Sequence, residues 1–161
     1  MATHLKNLSQ VRDAGAVVSG KRIGVVTAEW NEEITFAMRD AAIAYLLDKG
    51  VSREDLVIRE VPGSFELVFG AASLLEHGRV DGVIAIGCVI QGETPHFTFI
   101  SQAVASALAG LNARYVMPVV FGVLTTDTPE QARERAGGRH GNKGVEAAAT
   151  LLRMLAFDPP A

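Results

Sequence analysis

The stretch "GVIAIGCVI", residues 82–90, decides the fold. It is apolar and rich in β-branched residues, and its apolar positions do not alternate with polar ones. A strand with one wet face alternates. A strand buried on both faces does not, as in parallel sheets covered by helices on each side.

Working outward, "RIGVVTA" (22–28) is a second run of this kind, and "LVIREV" (56–61) and "VMPVVFGVL" (116–124) bring the strands to four. Helical stripes fill the gaps. Ile34, Met38, Ala41, Tyr45 and Leu46 form one, and Phe65, Leu67, Ala71, Leu74 and Leu75 a second. Val104, Ala107, Leu108 and Leu111 form a third, and Val145, Ala149, Leu152, Leu155 and Ala156 a fourth that ends near Phe157. Strands alternating with helices predict an α/β three-layer sandwich, with a four-stranded parallel sheet in the order 2-1-3-4 and helices on both faces. Pro118 has no N–H to give to a ladder, which predicts that the fourth strand lies at an edge. Asn31 is expected to cap the first helix, Thr94 the helix carrying His96, and Thr128 with Gln131 to form a capping box around Pro129.

A chain of 161 residues with 48% hydrophobic content suits a single domain, residues 1–161, with one core. The net charge of −3, with no cluster of Lys or Arg, argues against a nucleic-acid or anionic-membrane surface. Cys88 is the only cysteine, so no internal disulfide forms. The start "MATHLKNLSQ" lacks the apolar segment of a secretory signal, and no apolar run approaches the ~20 residues that span a bilayer. These features point to the cytoplasm. His4, His77 and His140 lack metal-ligand spacing, so no metal is expected.

In open parallel sheets ligands bind beyond the carboxyl ends of the strands. "EWN" (29–31), "VPGSFE" (61–66), "QGETPH" (91–96) and "TTDTPEQ" (125–131) all lie at such ends, so they converge on one small-molecule site. His96, on the first turn of its helix, is either a proton carrier or a hydrogen-bonded structural histidine. The "GET" loop (92–94) is either an anion cradle, with phosphate the usual guest, or a plain capped turn. Lys143, after Asn142, stands at the positive end of the last helix, where a cation is mildly unfavourable. An anion or a ligand carbonyl is expected to hold it. Arg135 is a second anion candidate or a solvated helix residue. Trp30 either stacks on a planar heterocycle or packs in the core. Glu66 either accepts bonds from ligand hydroxyls or complements a helix start. Phe121 is in or near the edge strand, and Cys88 reads as a small buried hydrophobe.

Together, "EWN" (29–31), "VPGSFEL" (61–67), "GCVIQGETPHF" (87–97), "PVVFGVLTT" (118–126) and "EQARERAGGRHGNKGVEAA" (130–148) resemble the lumazine synthases of riboflavin biosynthesis, over Lys21 to Met154. The resemblance implies a flavodoxin-like fold and a cofactor-free condensation. A ribitylamino-pyrimidinedione and 3,4-dihydroxy-2-butanone 4-phosphate would join to give 6,7-dimethyl-8-ribityllumazine. It further implies that Trp30 stacks on the pyrimidine, that Ser64, Phe65 and Glu66 contact the ribityl chain and ring, and that Val89 and Ile90 line the ring pocket. Glu93, Thr94 and Arg135 would bind phosphate, and His96 would shuttle protons. Phe121, Arg135 and Lys143 would reach in from a neighbouring subunit. Trp30 departs from a commoner phenylalanine, Gln91 from a basic residue, Val68 from proline and Thr98 from aspartate; none of these removes a proposed catalytic group.

Implied partners are further copies of the chain, in a pentameric ring closing into an icosahedral sixty-subunit shell, and riboflavin synthase. The short form of "AGGRHGNKG" (136–144) favours the shell over isolated rings, and the segment before Gly20 is expected to pair with a neighbour's sheet edge. The competing reading is a non-catalytic flavin or lumazine carrier, or a shell protein. It would not need His96, Arg135 and the phosphate loop together.

Overall fold

The computed structural model describes residues 20–157, so the expectation for the segment before Gly20 lies outside the described residues. In chain order the elements are β1 (Ile23–Ala28), α1 (Glu32–Asp48), β2 (Leu56–Val61), α2 (Leu67–His77), β3 (Gly82–Ile90), α3 (His96–Tyr115), β4 (Val119–Thr126), α4 (Pro129–Arg133), β5 (Ala136–Gly138), β6 (Gly141–Asn142) and α5 (Lys143–Leu155). The four long strands are all parallel, in the order β2-β1-β3-β4, which makes this the expected flavodoxin-like α/β fold. β5 and β6 form a separate antiparallel hairpin within the short 136–144 connection; Gly137 and Gly141 supply its positive φ angles.

The decisive stretch behaves as its pattern dictates. Side chains alternate between the two faces of β3, and both faces are dry. Ile84, Ile86 and Cys88 pack with Ile34, Met38, Ala42 and Leu46 of α1 and with Ala147, Ala148, Leu151 and Leu152 of α5. Val83 and Ala85 face the other way, onto Leu67, Ala71 and Leu74 of α2 and Val104, Leu108 and Leu111 of α3. Burying a side chain of this size contributes about 1.5–3 kcal/mol.

Several local expectations are corrected. Ala42, not Ala41, centres the α1 stripe. Phe65 is not part of the α2 stripe: it lies in the turn before α2 and is 56% exposed. Pro118 is not inside the fourth strand. β4 begins one residue later, and the Pro118 carbonyl accepts the Val83 N–H at 2.9 Å, a role that needs no proline N–H. The strand is nonetheless terminal in the sheet. The exposed backbone at its start is satisfied by Asn112, whose Oδ1 accepts the Val119 N–H at 2.8 Å and whose Nδ2 donates to the Val119 carbonyl at 3.1 Å. One amide side chain thus substitutes for a neighbouring strand at that position.

The caps differ as well. Thr94 is not the N-cap of α3; Pro95 holds that position and makes no side-chain bond. Thr128 does cap α4, accepting the Gln131 N–H at 3.3 Å, but Gln131 reaches back to the Asp127 N–H at 3.0 Å and not to the cap residue itself. Asn142 caps α5, accepting the Gly144 N–H at 2.8 Å. Asn31 occupies the N-cap position of α1 without using its side chain there.

Candidate active site

The carboxyl ends of β1, β2 and β3 open onto a cavity of about 420 Å³. It is lined by Trp30, Ser64, Phe65, Glu66, Val89, Ile90 and His96, all of them residues that the sequence singled out. Topology explains the gathering. β1 and β3 are neighbours, β2 flanks β1, and the three loops that follow them emerge at one end of the sheet. Trp30 follows β1, Ser64–Phe65–Glu66 form the turn between β2 and α2, Val89 and Ile90 end β3, and His96 is the first residue of α3.

The lining combines apolar walls with a few polar groups, the usual character of a small-molecule site. Ser64 is buried, whereas Trp30 is 65% exposed and Phe65 also projects into solvent. Trp30 is therefore not a core residue, which removes one of its two sequence readings. Glu66 has a buried carboxylate oxygen, Oε2, with no hydrogen-bond partner among the described residues. A buried carboxylate oxygen left without a donor is costly, so a ligand group that donates to it gains accordingly.

Asn31, Cys88 and Ile100 also line this cavity and were not read as site residues. Ile100 was within reach: it stands one helical turn after His96 on α3. Cys88 reads in the sequence as a small buried hydrophobe, and its thiol behaves as one. Burial raises its pKa to about 11, so it remains protonated at neutral pH. In the sequence Asn31 reads as a helix cap.

Phe121, Arg135 and Lys143 do not reach this cavity. They line a second one, of about 640 Å³, along β4 and α5, together with Asn112, Glu146 and Thr150. Phe121 is 44% exposed there. Arg135 donates from Nη1 to the Gln131 carbonyl at 2.9 Å, which holds its stem against α4. Lys143 is held by an anion, as expected, and that anion is in the chain itself: Glu146 Oε2 accepts from Nζ at 2.8 Å, one turn further along α5. Glu93 and Thr94 lie in the exposed loop between β3 and α3 and line neither cavity.

The set of residues expected in one site is therefore divided within a single chain. One group surrounds the ends of β1–β3, and the other sits on the open edge of the sheet beside β4. An ion pair ties the edge region to the start of α1, Arg133 Nε donating to Glu33 at 2.9 Å. No helix among the described residues is long and apolar enough to cross a membrane. Among the same residues, no group of three or more His, Cys, Asp or Glu is placed to hold a metal ion.

Comparison with known proteins bears on what this arrangement does. The family model described as 6,7-dimethyl-8-ribityllumazine synthase matches residues 20–158. A protein of that name from Porphyromonas gingivalis is 51% identical over 160 residues, covering 98% of this chain and 99% of the relative. Its namesake from Parabacteroides distasonis is 47% identical over 159 residues, 98% and 99% of the two chains. A third, from Cytophaga hutchinsonii, is 49% identical over 156 residues, 97% and 98%. A family model spanning nearly the whole described fold, and relatives this similar over their full length, make the chain a member of the 6,7-dimethyl-8-ribityllumazine synthase family.

Proposed function

We infer that the chain catalyses the penultimate step of riboflavin biosynthesis. It condenses 5-amino-6-(D-ribitylamino)uracil with 3,4-dihydroxy-2-butanone 4-phosphate to give 6,7-dimethyl-8-ribityllumazine, phosphate and two molecules of water. Family membership supports the reaction. The observation that carries the site reading is the division of its candidate residues between two faces of one chain. A working site then needs two chains, with the β4 edge of one meeting the strand-end cavity of its neighbour.

In that site Trp30 stacks on the pyrimidine ring, with Val89 and Ile90 beneath it. Ser64, Phe65 and Glu66 hold the ribityl chain, and the free Glu66 oxygen suits a ligand hydroxyl or ring N–H. Phe121 and Lys143 of the adjacent copy close over the ring. Glu93, Thr94 and the adjacent copy's Arg135 take the phosphate. His96 carries protons between the amine, the two oxygens that leave as water on imine formation and ring closure, and the carbon that loses its proton as phosphate departs. Incubating the purified protein with both substrates tests the reaction: the lumazine chromophore is expected to appear, and its absence under assembled conditions would reject the assignment.

Trp30 supplies an independent check. It is the sole tryptophan, so it dominates intrinsic emission, and stacking beneath a heterocycle quenches it. Added product is expected to quench in a saturable way after correction for inner-filter absorption. Quenching without saturation would place Trp30 outside the binding site.

The same reading includes a single domain over residues 1–161 acting as a cytoplasmic homo-oligomer. Pentameric rings assemble into an icosahedral sixty-subunit shell, with riboflavin synthase a candidate partner and the segment before Gly20 pairing with a neighbour's sheet edge. The compact β5–β6 hairpin supports the shell, because it projects no long loop between rings. Light scattering on fresh protein is expected to give a shell-sized particle. A species of pentamer mass across buffers and concentrations would reject the shell.

A further inference from the structure

We propose that Asn31 and Gly63 are the positioning residues that aim the Trp30 ring into the cavity. The proposal rests on the assignment of Trp30 as the stacking partner of the pyrimidine, and it deepens that assignment. An aromatic ring on a loop gives affinity only if its orientation is fixed before the ligand arrives, because ordering it on binding opposes association.

Three contacts fix it here. On the N-terminal side, the Glu29 N–H donates to the Val61 carbonyl at 2.8 Å and the Trp30 N–H to the Pro62 carbonyl at 3.0 Å, carrying the β1–β2 pairing past the strand ends. On the C-terminal side, Asn31 adopts φ 61° and ψ 44°, the left-handed region that asparagine tolerates better than most residues. Its side chain forgoes the usual capping bond and spans to β3 instead, Nδ2 donating to the Cys88 carbonyl at 3.1 Å. The chain turns sharply at Asn31 and is pinned to the strand that floors the cavity.

Gly63 provides the seat. A Cβ there would lie 2.6 Å from Trp30 Cε3, 2.7 Å from Cζ3 and 2.9 Å from Glu66 Oε2. The six-membered edge of the indole therefore rests on the bare Gly63 backbone, beside the unpartnered Glu66 oxygen. Any side chain at 63 displaces the ring or the carboxylate.

Asn31→Asp is the discriminating variant. Aspartate caps a helix start as well as asparagine and tolerates the left-handed region, so α1 and the turn are retained. It places a charged acceptor, not a donor, opposite the Cys88 carbonyl, so the cross-link is replaced by repulsion. Gly63→Ala attacks the seat from the opposite side. In ligand-free assembled protein, both variants are expected to raise the amplitude of the fast, nanosecond component of Trp30 fluorescence anisotropy decay by about twofold or more. Unchanged decay in both would overturn the proposal, whatever the ligand.

Steady-state kinetics then read the consequence. KM for the pyrimidine is expected to rise about 10-fold, with KM for the butanone phosphate held within about twofold. Equal rises in both would point to general disruption of the fold and overturn the positioning role. A loosened ring with undiminished pyrimidine affinity would leave the positioning intact and reject the stacking assignment instead, so the two readings fail separately.

Discussion

Replacing His96 with alanine is expected to slow product formation by roughly 10- to 10⁴-fold in a step limited by chemistry. His96 is the first residue of α3 and lines the strand-end cavity with Trp30 and Glu66. Among the described residues no other histidine lines that cavity, and the Cys88 thiol is held protonated, which leaves the Glu66 carboxylate as the other proton acceptor in the lining. The low end of the range applies if water or the departing phosphate carries the proton. Because imidazole shuttles the proton without binding phosphate, KM for the phosphorylated substrate should change little. Single-turnover kinetics check this. Full turnover in a chemically limited step would remove the shuttle role.

The second large effect concerns Arg135. Its guanidinium donates through Nη1 to the Gln131 carbonyl beside the β4 edge, where Phe121 and Lys143 also gather. Arginine matches the multiple oxygens of phosphate, and the pyrimidine substrate carries none. Arg135→Ala should therefore weaken the butanone phosphate by roughly 10- to 100-fold and the pyrimidine far less. Lys143 is not expected to compensate, because Glu146 engages its ammonium. Separate titrations of the two ligands measure the difference. Equal losses would make Arg135 a structural residue.

Why some of this was legible in the sequence and some was not follows from the range of each interaction. β3 was read to the residue because a run buried on both faces carries its own signature. The start of β4 was misplaced because Val116 and Met117 are apolar without being strand: Val116 ends α3 in a left-handed conformation and is exposed. Hydrophobicity alone does not separate a helix exit from a strand start. The strand-end cavity was legible because strand order brings the ends of β1, β2 and β3 together, and the residues there are of chemically expressive types. Asn31 was misread because its partner, the Cys88 carbonyl, is a tertiary contact that no local pattern announces. Glu146 stands one turn from Lys143 and could have been found by helical spacing. The placement of Phe121, Arg135 and Lys143 on a different face was anticipated only through the family resemblance, since nothing local to these residues says which chain's cavity they face.

The shared site is the central claim, and co-assembly of two defective chains tests it most directly. His96→Ala damages the strand-end cavity and leaves the β4 edge intact; Arg135→Ala does the reverse. Each variant alone carries a defect at every site. In a one-to-one mixed assembly, about a quarter of the junctions should join an intact cavity to an intact edge. With the butanone phosphate held well below its KM, where the Arg135→Ala defect shows, the account predicts that such mixtures recover about a quarter of the wild-type rate, well above the mean of the two parents. Mixed assemblies no more active than that mean, or an active monomer, would contradict a site built from two chains.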